Sequence, residues 1–301
     1  MPHPDWLSES PERLHPALAG CAAGAFPANI ALLRLSMAAE RAEEVEAALA
    51  AAGALATGEA GRRLAQALAL WRANPQAFDT VKGVLRGVEH SGAAGDPEQG
   101  VAGWAQAFDR LARAAPEGGV ALYALGNPDL LRAATGEVVA RMEEWGLLGP
   151  GVRVLEIGCG IGRFVEALAP RVREVTGLDI SDGMVERARE RCAGLGNVTL
   201  AVSSGQDLLG IADGAADLVL AADVFPYLVQ AGLAGRHVGE AARVLAPGGH
   251  LLVLNFSYRG DAEADRREVE DLAGRHGFEV RRASQGDFAL WDAATFLLRR
   301  V

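Results

Sequence analysis

Apolar residues recur at helical spacing through the first third of the chain. Between Ala28 and Ala52, Ile30, Leu33, Met37, Val45 and Leu49 share a face that Glu40, Glu43 and Glu44 avoid, which predicts one long amphipathic helix. Leu64, Leu68 and Trp71 make a second stripe. Phe78, Val81, Leu85 and Val88 make a third, and Val101, Trp104, Phe108 and Leu111 a fourth. Asn74-Pro75 stops the second helix and opens the next, with Asn as N-cap and Pro at the first helical position. Asn127-Pro128 repeats that signal before a helix running to about Trp145. Ser91 to Pro97 reads as a polar loop. No fixed period links the stripes, which excludes an array of helical repeats.

After Gly149-Pro150-Gly151 the period changes. The β-branched runs VRVLEI, VREVTGLDI, NVTLAV, ADLVLAAD and HLLVLNF alternate with helical segments, the pattern of a parallel sheet covered by helices on both faces. FEVRRA and TFLLRR near the end have no helix between them. The link from Ser284 to Ala294 is too short for a crossover, so this pair is expected to run antiparallel. Pro116-Glu117-Gly118-Gly119 is the expected boundary between a helical region, residues 1–118, and a sheet domain, residues 119–301.

Composition narrows the chemistry. Of 301 residues, 29 are basic and 39 acidic, a net charge of −10, which argues against a nucleic-acid partner because phosphate contacts need clustered Lys and Arg. Cys21, Cys159 and Cys192 stand far apart and form no CxxC pair. The histidines lack paired ligand spacing, so no metal site is expected. Lys82 is followed by Gly83 and belongs to no phosphate loop. The first residues, MPHPDWLSESPERLHP, lack a basic start followed by an apolar run, and the alanine-rich stretches are broken by charges. The expectation is a soluble cytoplasmic protein without a membrane partner.

The most informative segment is Val154-Leu155-Glu156-Ile157-Gly158-Cys159-Gly160-Ile161-Gly162. A buried strand ends near an acid and passes through GxGxG into a helix starting near Arg163. Glycines let the backbone turn tightly and approach a ligand. A carboxylate beside the loop suits a cationic ligand and would repel the pyrophosphate of a dinucleotide, which disfavours a nicotinamide-dependent dehydrogenase. Seventeen residues after Gly162, Asp179 ends the second strand, where a carboxylate accepts from two ribose hydroxyls.

EIGCGIG, GLDIS, SSGQDL, DLVLAADVFPYL, RVLAPGG and the terminal strand pair, in this order and spacing, resemble the class I S-adenosylmethionine-dependent methyltransferases. The resemblance covers roughly Tyr123 to Val301. It implies an α/β fold with a seven-stranded, mostly parallel Rossmann-like sheet and an antiparallel last strand, here preceded by an all-α N-terminal region. It also implies S-adenosyl-L-methionine at the carboxyl ends of the first strands. By position, Glu156, Gly158, Cys159, Gly160 and Gly162 border the methionine part, and Asp179 holds the ribose. Ile180 and Met184 pack near the adenine, and Ser204, Gly205 and Gln206 lie where the family reads the adenine edge. Many members carry Asp where Ser204 stands, which puts that contact in doubt. Ala221 borders the same pocket, and Arg132 lies where relatives place a lid residue.

The expected activity is methyl transfer to O, N or S of a small molecule by in-line displacement. The candidate bases are Tyr227, Asp223 and Asp292, and the candidate acceptor contacts are Tyr123, Phe225, Tyr258 and Trp291. Arg259 is an alternative contact for an acidic group. The N-terminal stripes exceed what an independent appendage needs, so those helices are expected to cover the cofactor pocket or form a homodimer interface. Two other readings stay open: a protein methyltransferase docking through these helices, and a non-catalytic cofactor-binding assembly module.

Overall fold

The computed structural model describes residues 7, 8, 10–89 and 97–301. Most of the expected polar loop falls in residues 90–96, which, like His3, lie outside the described residues. Pro97, expected to close that loop, opens a helix. The chain forms two compact units that do not follow chain order. The first holds the described residues up to Arg86, together with Glu117–Ala134 and Phe288–Asp292. The second holds those of Gly87–Pro116, Thr135–Asp287 and Ala293–Val301.

In the first unit, α1 (His15–Ala23), α2 (Ala28–Ala38), α3 (Ala42–Leu55), α4 (Gly58–Ala73) and most of α5 (Ala77–Glu89) pack around Leu18, Leu32, Leu35, Leu49, Leu64 and Trp71. The single helix expected over Ala28–Ala52 is two. The chain is extended at Ala39 and Arg41, and the last carbonyls of α2 are taken by side chains: Lys82 Nζ donates to Met37 O at 3.0 Å and Arg13 Nε to Ala38 O at 3.1 Å. Glu44 accepts from the Glu40 N–H at 3.0 Å at the start of α3. These partners replace the hydrogen bonds a continuous helix would make. Met37, expected on the apolar face, is exposed at this break.

Asn74 ends α4, as read, but its side chain does not cap α5: its Nδ2 donates to Leu70 O at 2.7 Å, and its Oδ1 accepts from Asn127 Nδ2 at 2.6 Å. Asn127 is an N-cap as read, accepting from the N–H groups of Asp129 and Leu130 at 2.8 and 3.1 Å. It opens α8 (Pro128–Glu144), which follows α6 (Pro97–Ala114) and the short α7 (Pro116–Val120).

Among the described residues of the second unit, β1 (Arg153–Ile157), β2 (Glu174–Asp179), β3 (Val198–Val202), β4 (Ala216–Ala222), β5 (Leu245–Leu254), β6 (Phe278–Ser284) and β7 (Thr295–Arg300) form one sheet in the order β3-β2-β1-β4-β5-β7-β6. Neighbours from β3 to β5 are parallel. β7 enters antiparallel between β5 and β6, pairing Leu254 with Thr295 and Ser284 with Thr295. The fold class read from the sequence is the one observed. The central strands are buried on both faces, so they read as continuous apolar runs. The helices α9 (Arg163–Leu168), α10 (Asp182–Arg191), α11 (Phe225–Gln230), α12 (Ala234–Val244) and α13 (Ala262–Arg275) make the crossovers and the β5–β6 link. The order reverses between β1 and β4, which puts a crevice at their carboxyl ends, where open α/β sheets bind ligands. No helix of the described residues is long and apolar enough to cross a membrane.

Candidate ligand site at the carboxyl edge of the sheet

The loop after β1 is shaped by its glycines. Gly158, Gly160 and Gly162 have φ of 70°, 52° and 75°, where other L residues are strained. A Cβ on Gly158 would lie 2.6 Å from Val224 Cγ2, so the loop reaches the end of β4 only because this position has no side chain. Asp179 organises the same loop from the end of β2. Its Oδ2 accepts from the Gly160 N–H at 2.8 Å and its Oδ1 from the Ser181 N–H at 2.9 Å. The Ile180 N–H also acts on this carboxyl, whose remaining acceptor capacity is open to a hydroxyl. Burial pushes the Asp179 carboxyl above its ordinary value, against the pull of these backbone donors.

Glu156 is 1% exposed, and its Oε2 has no hydrogen-bond partner among the described residues. Burial pushes its carboxyl from 4.5 up to about 8, with Arg163 pulling the other way. A buried carboxylate with an unused oxygen is costly, and a cationic ligand group beside it would offset that cost. An anionic pyrophosphate would not. The edge thus fits a ligand that joins a positive centre to a ribose.

Further along, Ser181 caps α10: its Oγ accepts from the Met184 N–H at 3.0 Å and donates to Asp109 on α6 at 2.6 Å. Asp109 Oδ1 also accepts from the Gly183 N–H at 2.9 Å. Gly205, at φ 68°, is flanked by Ile180 and by Val101 of α6; a Cβ there would come 2.6 and 2.9 Å from them. Met184 is buried beneath. Ser204 is exposed, accepts from the Gln206 N–H at 3.2 Å and faces Asp207. The sequence assigned α6 no place of its own at this pocket. Its apolar stripe continues into the polar contact of Asp109, the one signal that marked it.

At the ends of β4 and β5, Asp223 Oδ1 accepts from Asn255 Nδ2 at 2.7 Å and from the Tyr258 hydroxyl at 3.1 Å. Tyr227, on α11, meets Trp104 and Phe108 of α6 edge-on, with ring centroids 4.8 and 5.5 Å away, and Tyr258 at 6.1 Å. Burial, then the Asp223 charge, raise the Tyr227 phenol far above its ordinary value, so it holds its proton and donates rather than acting as a free base. Asn255 was not singled out by the sequence. Phe225 is wholly buried against Phe256 at 5.7 Å and presents no open surface. Ala221 is buried within β4.

Other candidates are already engaged. Arg259 pairs with Asp265 and Glu268 at 2.7 and 2.5 Å, so its guanidinium is committed to α13. Cys159 is buried, and burial raises its thiol well above the usual range, which makes it an apolar filler. In the first unit, Tyr123 stacks on Trp291 at 4.9 Å, Asp292 pairs with Arg34 at 2.9 Å, and the exposed Arg132 pairs with Asp129. Among the described residues no group of His, Cys, Asp and Glu is placed to hold a metal ion.

Residues 155–253 match a protein family described as "Methyltransferase domain". Nodulation protein S of Rhizobium tropici is 34% identical over 118 residues, 39% of this chain and 48% of that protein. Demethylmenaquinone methyltransferase of Tropheryma whipplei (strain Twist) is 37% identical over 108 residues, 36% of this chain and 43% of that protein. The chain thus spans less than half the length of these two relatives. Among solved structures, phosphoethanolamine N-methyltransferase 1 of Haemonchus contortus aligns over 67% of this chain and 48% of its own, with a TM-score of 0.52 and 16% identity, a likeness of fold.

Proposed function

We propose, for a chain whose residues 155–253 form a class I S-adenosylmethionine-dependent methyltransferase domain, that it transfers the methyl group of S-adenosyl-L-methionine to an O, N or S atom of a small molecule. The observation that carries this reading is the pairing, on one sheet edge, of a buried carboxylate with an unused oxygen, Glu156, and a carboxylate with hydroxyl-accepting capacity, Asp179. Glu156 and the Gly158–Gly162 backbone border the cationic end of the cofactor. Asp179 takes the ribose, while Ile180, Met184, Gly205 and Gln206, with Val101, flank the adenine. Bound there, the cofactor supplies an activated methyl. The protein positions the two reactants and keeps water out.

Asp223, Tyr227 and Tyr258 serve the acceptor side of this reading. Tyr123 and Trp291 are proposed as further acceptor contacts, Asp292 as a further candidate base and Arg132 as a lid residue. A net charge of −10 disfavours a nucleic-acid substrate. The cytoplasmic setting, the division at residues 118/119 and the lid or homodimer role of the N-terminal helices belong to the same proposal.

Calorimetry with S-adenosylhomocysteine, S-adenosylmethionine and NAD tests it. Both sulfur compounds are expected to bind, and Asp179→Ala to weaken them about 10- to 150-fold, the loss of a hydrogen bond to a charged group worth ~1.5–3 kcal/mol. Binding of NAD without either sulfur compound would overturn the reading.

A further inference from the structure

Two non-glycine residues at adjacent strand ends share an unusual backbone. Asp223, after β4, and Asn255, after β5, have φ of 58° and 63°. Asn and Asp tolerate this region better than other side chains, but it still costs strain, which persists where the surroundings hold it. Here the holding is explicit. The Asp223 N–H donates to Leu254 O at 2.9 Å, and the Asn255 N–H donates to Ala294 O at 2.8 Å. Asn255 Oδ1 accepts from the Ala294 N–H at 3.0 Å. With its oxygen fixed just before β7, the Asn255 amide has one orientation, and its Nδ2 points to Asp223 Oδ1 at 2.7 Å. The same Asp223 oxygen takes the Tyr258 hydroxyl at 3.1 Å, and the Tyr258 ring meets that of Tyr227 edge-on at 6.1 Å. After burial, Asp223 is, among the described residues, the charge that raises both phenols, and α6 sets the rings of Trp104 and Phe108 against Tyr227. Val224, next to Asp223, packs on Gly158 of the cofactor loop, so this hydrogen-bonded chain begins beside the proposed methyl donor.

We infer that Asn255 is a positioning residue that holds Asp223 to take, through the Tyr258 hydroxyl, the proton that the acceptor loses during methyl transfer. The inference rests on the methyltransferase reading. As the bond from the acceptor heteroatom to the methyl carbon forms, the carbon–sulfur pair stays on sulfur and the acceptor proton becomes acidic. It passes to the Tyr258 oxygen as the Tyr258 proton moves to the Asp223 carboxylate. Tyr258 ends neutral, and Asp223 returns the proton to water past Tyr258, which is 58% exposed. Tyr258 need not ionise, because it gives one proton while taking another.

The chain has three tyrosines, which makes phenolate absorbance a usable readout. In the wild type, Tyr227 and Tyr258, identified by their Phe variants, are expected to stay protonated at about pH 11, a unit above the ordinary phenol value of about 10. Asp223→Asn, which keeps the shape and the backbone tolerance, is expected to let them ionise at least about one pH unit lower. Asn255→Gly, which keeps the backbone and removes only the side chain, is expected to do the same in part. Asn255→Asp replaces the donor by a second carboxylate beside Asp223 and is expected to raise the tyrosine titrations instead. Unchanged tyrosine titrations in folded Asp223→Asn and Asn255→Gly overturn the inference. Binding of S-adenosylhomocysteine, measured on the same wild-type sample, reports separately on the methyltransferase reading.

Discussion

At the ends of β1 and β2 the chain turns through glycines, with φ of 70°, 52° and 75° at 158, 160 and 162. At the ends of β4 and β5 it turns through Asp223 and Asn255, at 58° and 63°. Both halves of the edge need the left-handed region. Glycine enters it without strain and leaves open space and N–H groups, which suits a loop that must lie against a ligand. Asp and Asn carry some strain and keep a side chain, which suits a place where a carboxylate must be held at a fixed point. On the proposed reading, one half receives a molecule and the other acts on what lies beside it.

Filling the receiving half should have the largest effect. Gly158→Val puts a branched side chain 2.6–3.0 Å from Val224 at a left-handed φ. Overpacking costs about 1–3 kcal/mol and the backbone about 1–2 kcal/mol more. Calorimetry is expected to find no S-adenosylhomocysteine binding, and urea unfolding a loss of that order; Gly158→Ala gives a smaller version of both. Normal affinity in either variant would place the ligand elsewhere and erase the distinction between the two halves.

A second, smaller effect comes from the charge in that half. The Glu156 carboxyl is raised in the folded protein from 4.5 to about 8, so the folded state binds its proton more tightly than the unfolded chain. Stability from this group is therefore full below about pH 4.5 and is lost as pH rises toward 8. Glu156→Gln removes the dependence. Its unfolding free energy without ligand, measured in urea, is expected to exceed that of the wild type increasingly from pH 5 to pH 9, by an amount on the order of a few kcal/mol at most. Equal pH profiles would mean that Glu156 is not the strained acid described.

The smallest effect concerns α6, which lines the receiving half from outside the sheet. Asp109→Ala removes the acceptor of Ser181 Oγ and the Gly183 N–H at the start of α10. A stability loss of about 1 kcal/mol is expected in urea unfolding, the usual worth of a helix cap. Its effect on S-adenosylhomocysteine affinity should stay below that of Asp179→Ala. A larger effect than Asp179→Ala would make α6, and not β2, the main ribose-side support.

The receiving half was legible because its chemistry is local. GxGxG, the acid two residues before it and the acid ending β2 lie within 24 residues, Glu156 to Asp179, and each is marked by residue type. The parallel sheet followed from β-branched runs alternating with helices, although the link from β3 to β4 carries no helix. The other half depends on contacts between distant segments: Asn255 is fixed by Ala294, and Asp223 is reached by Tyr258 across two strand ends. No spacing announces such a pair. The break at Ala39–Arg41 was hidden for the same reason, since the carbonyls it frees are taken by Arg13 and Lys82, residues 25 and 45 positions away. The sequence reading put the N-terminal helices at the cofactor pocket or at a dimer interface without singling out α6, because its stripe reads alike whether it packs on helices or on a sheet edge.

The most direct measurement is a crystal structure of the chain with S-adenosylhomocysteine bound. Both ribose hydroxyls are expected on the Asp179 carboxylate at about 2.7–3.0 Å. The amino-acid end should lie over Gly158–Gly162 next to Glu156, with the sulfur facing Asp223 and Val224. A ligand whose ribose lies away from Asp179, or whose sulfur faces away from the ends of β4 and β5, would contradict the division of the edge into a receiving and an acting half.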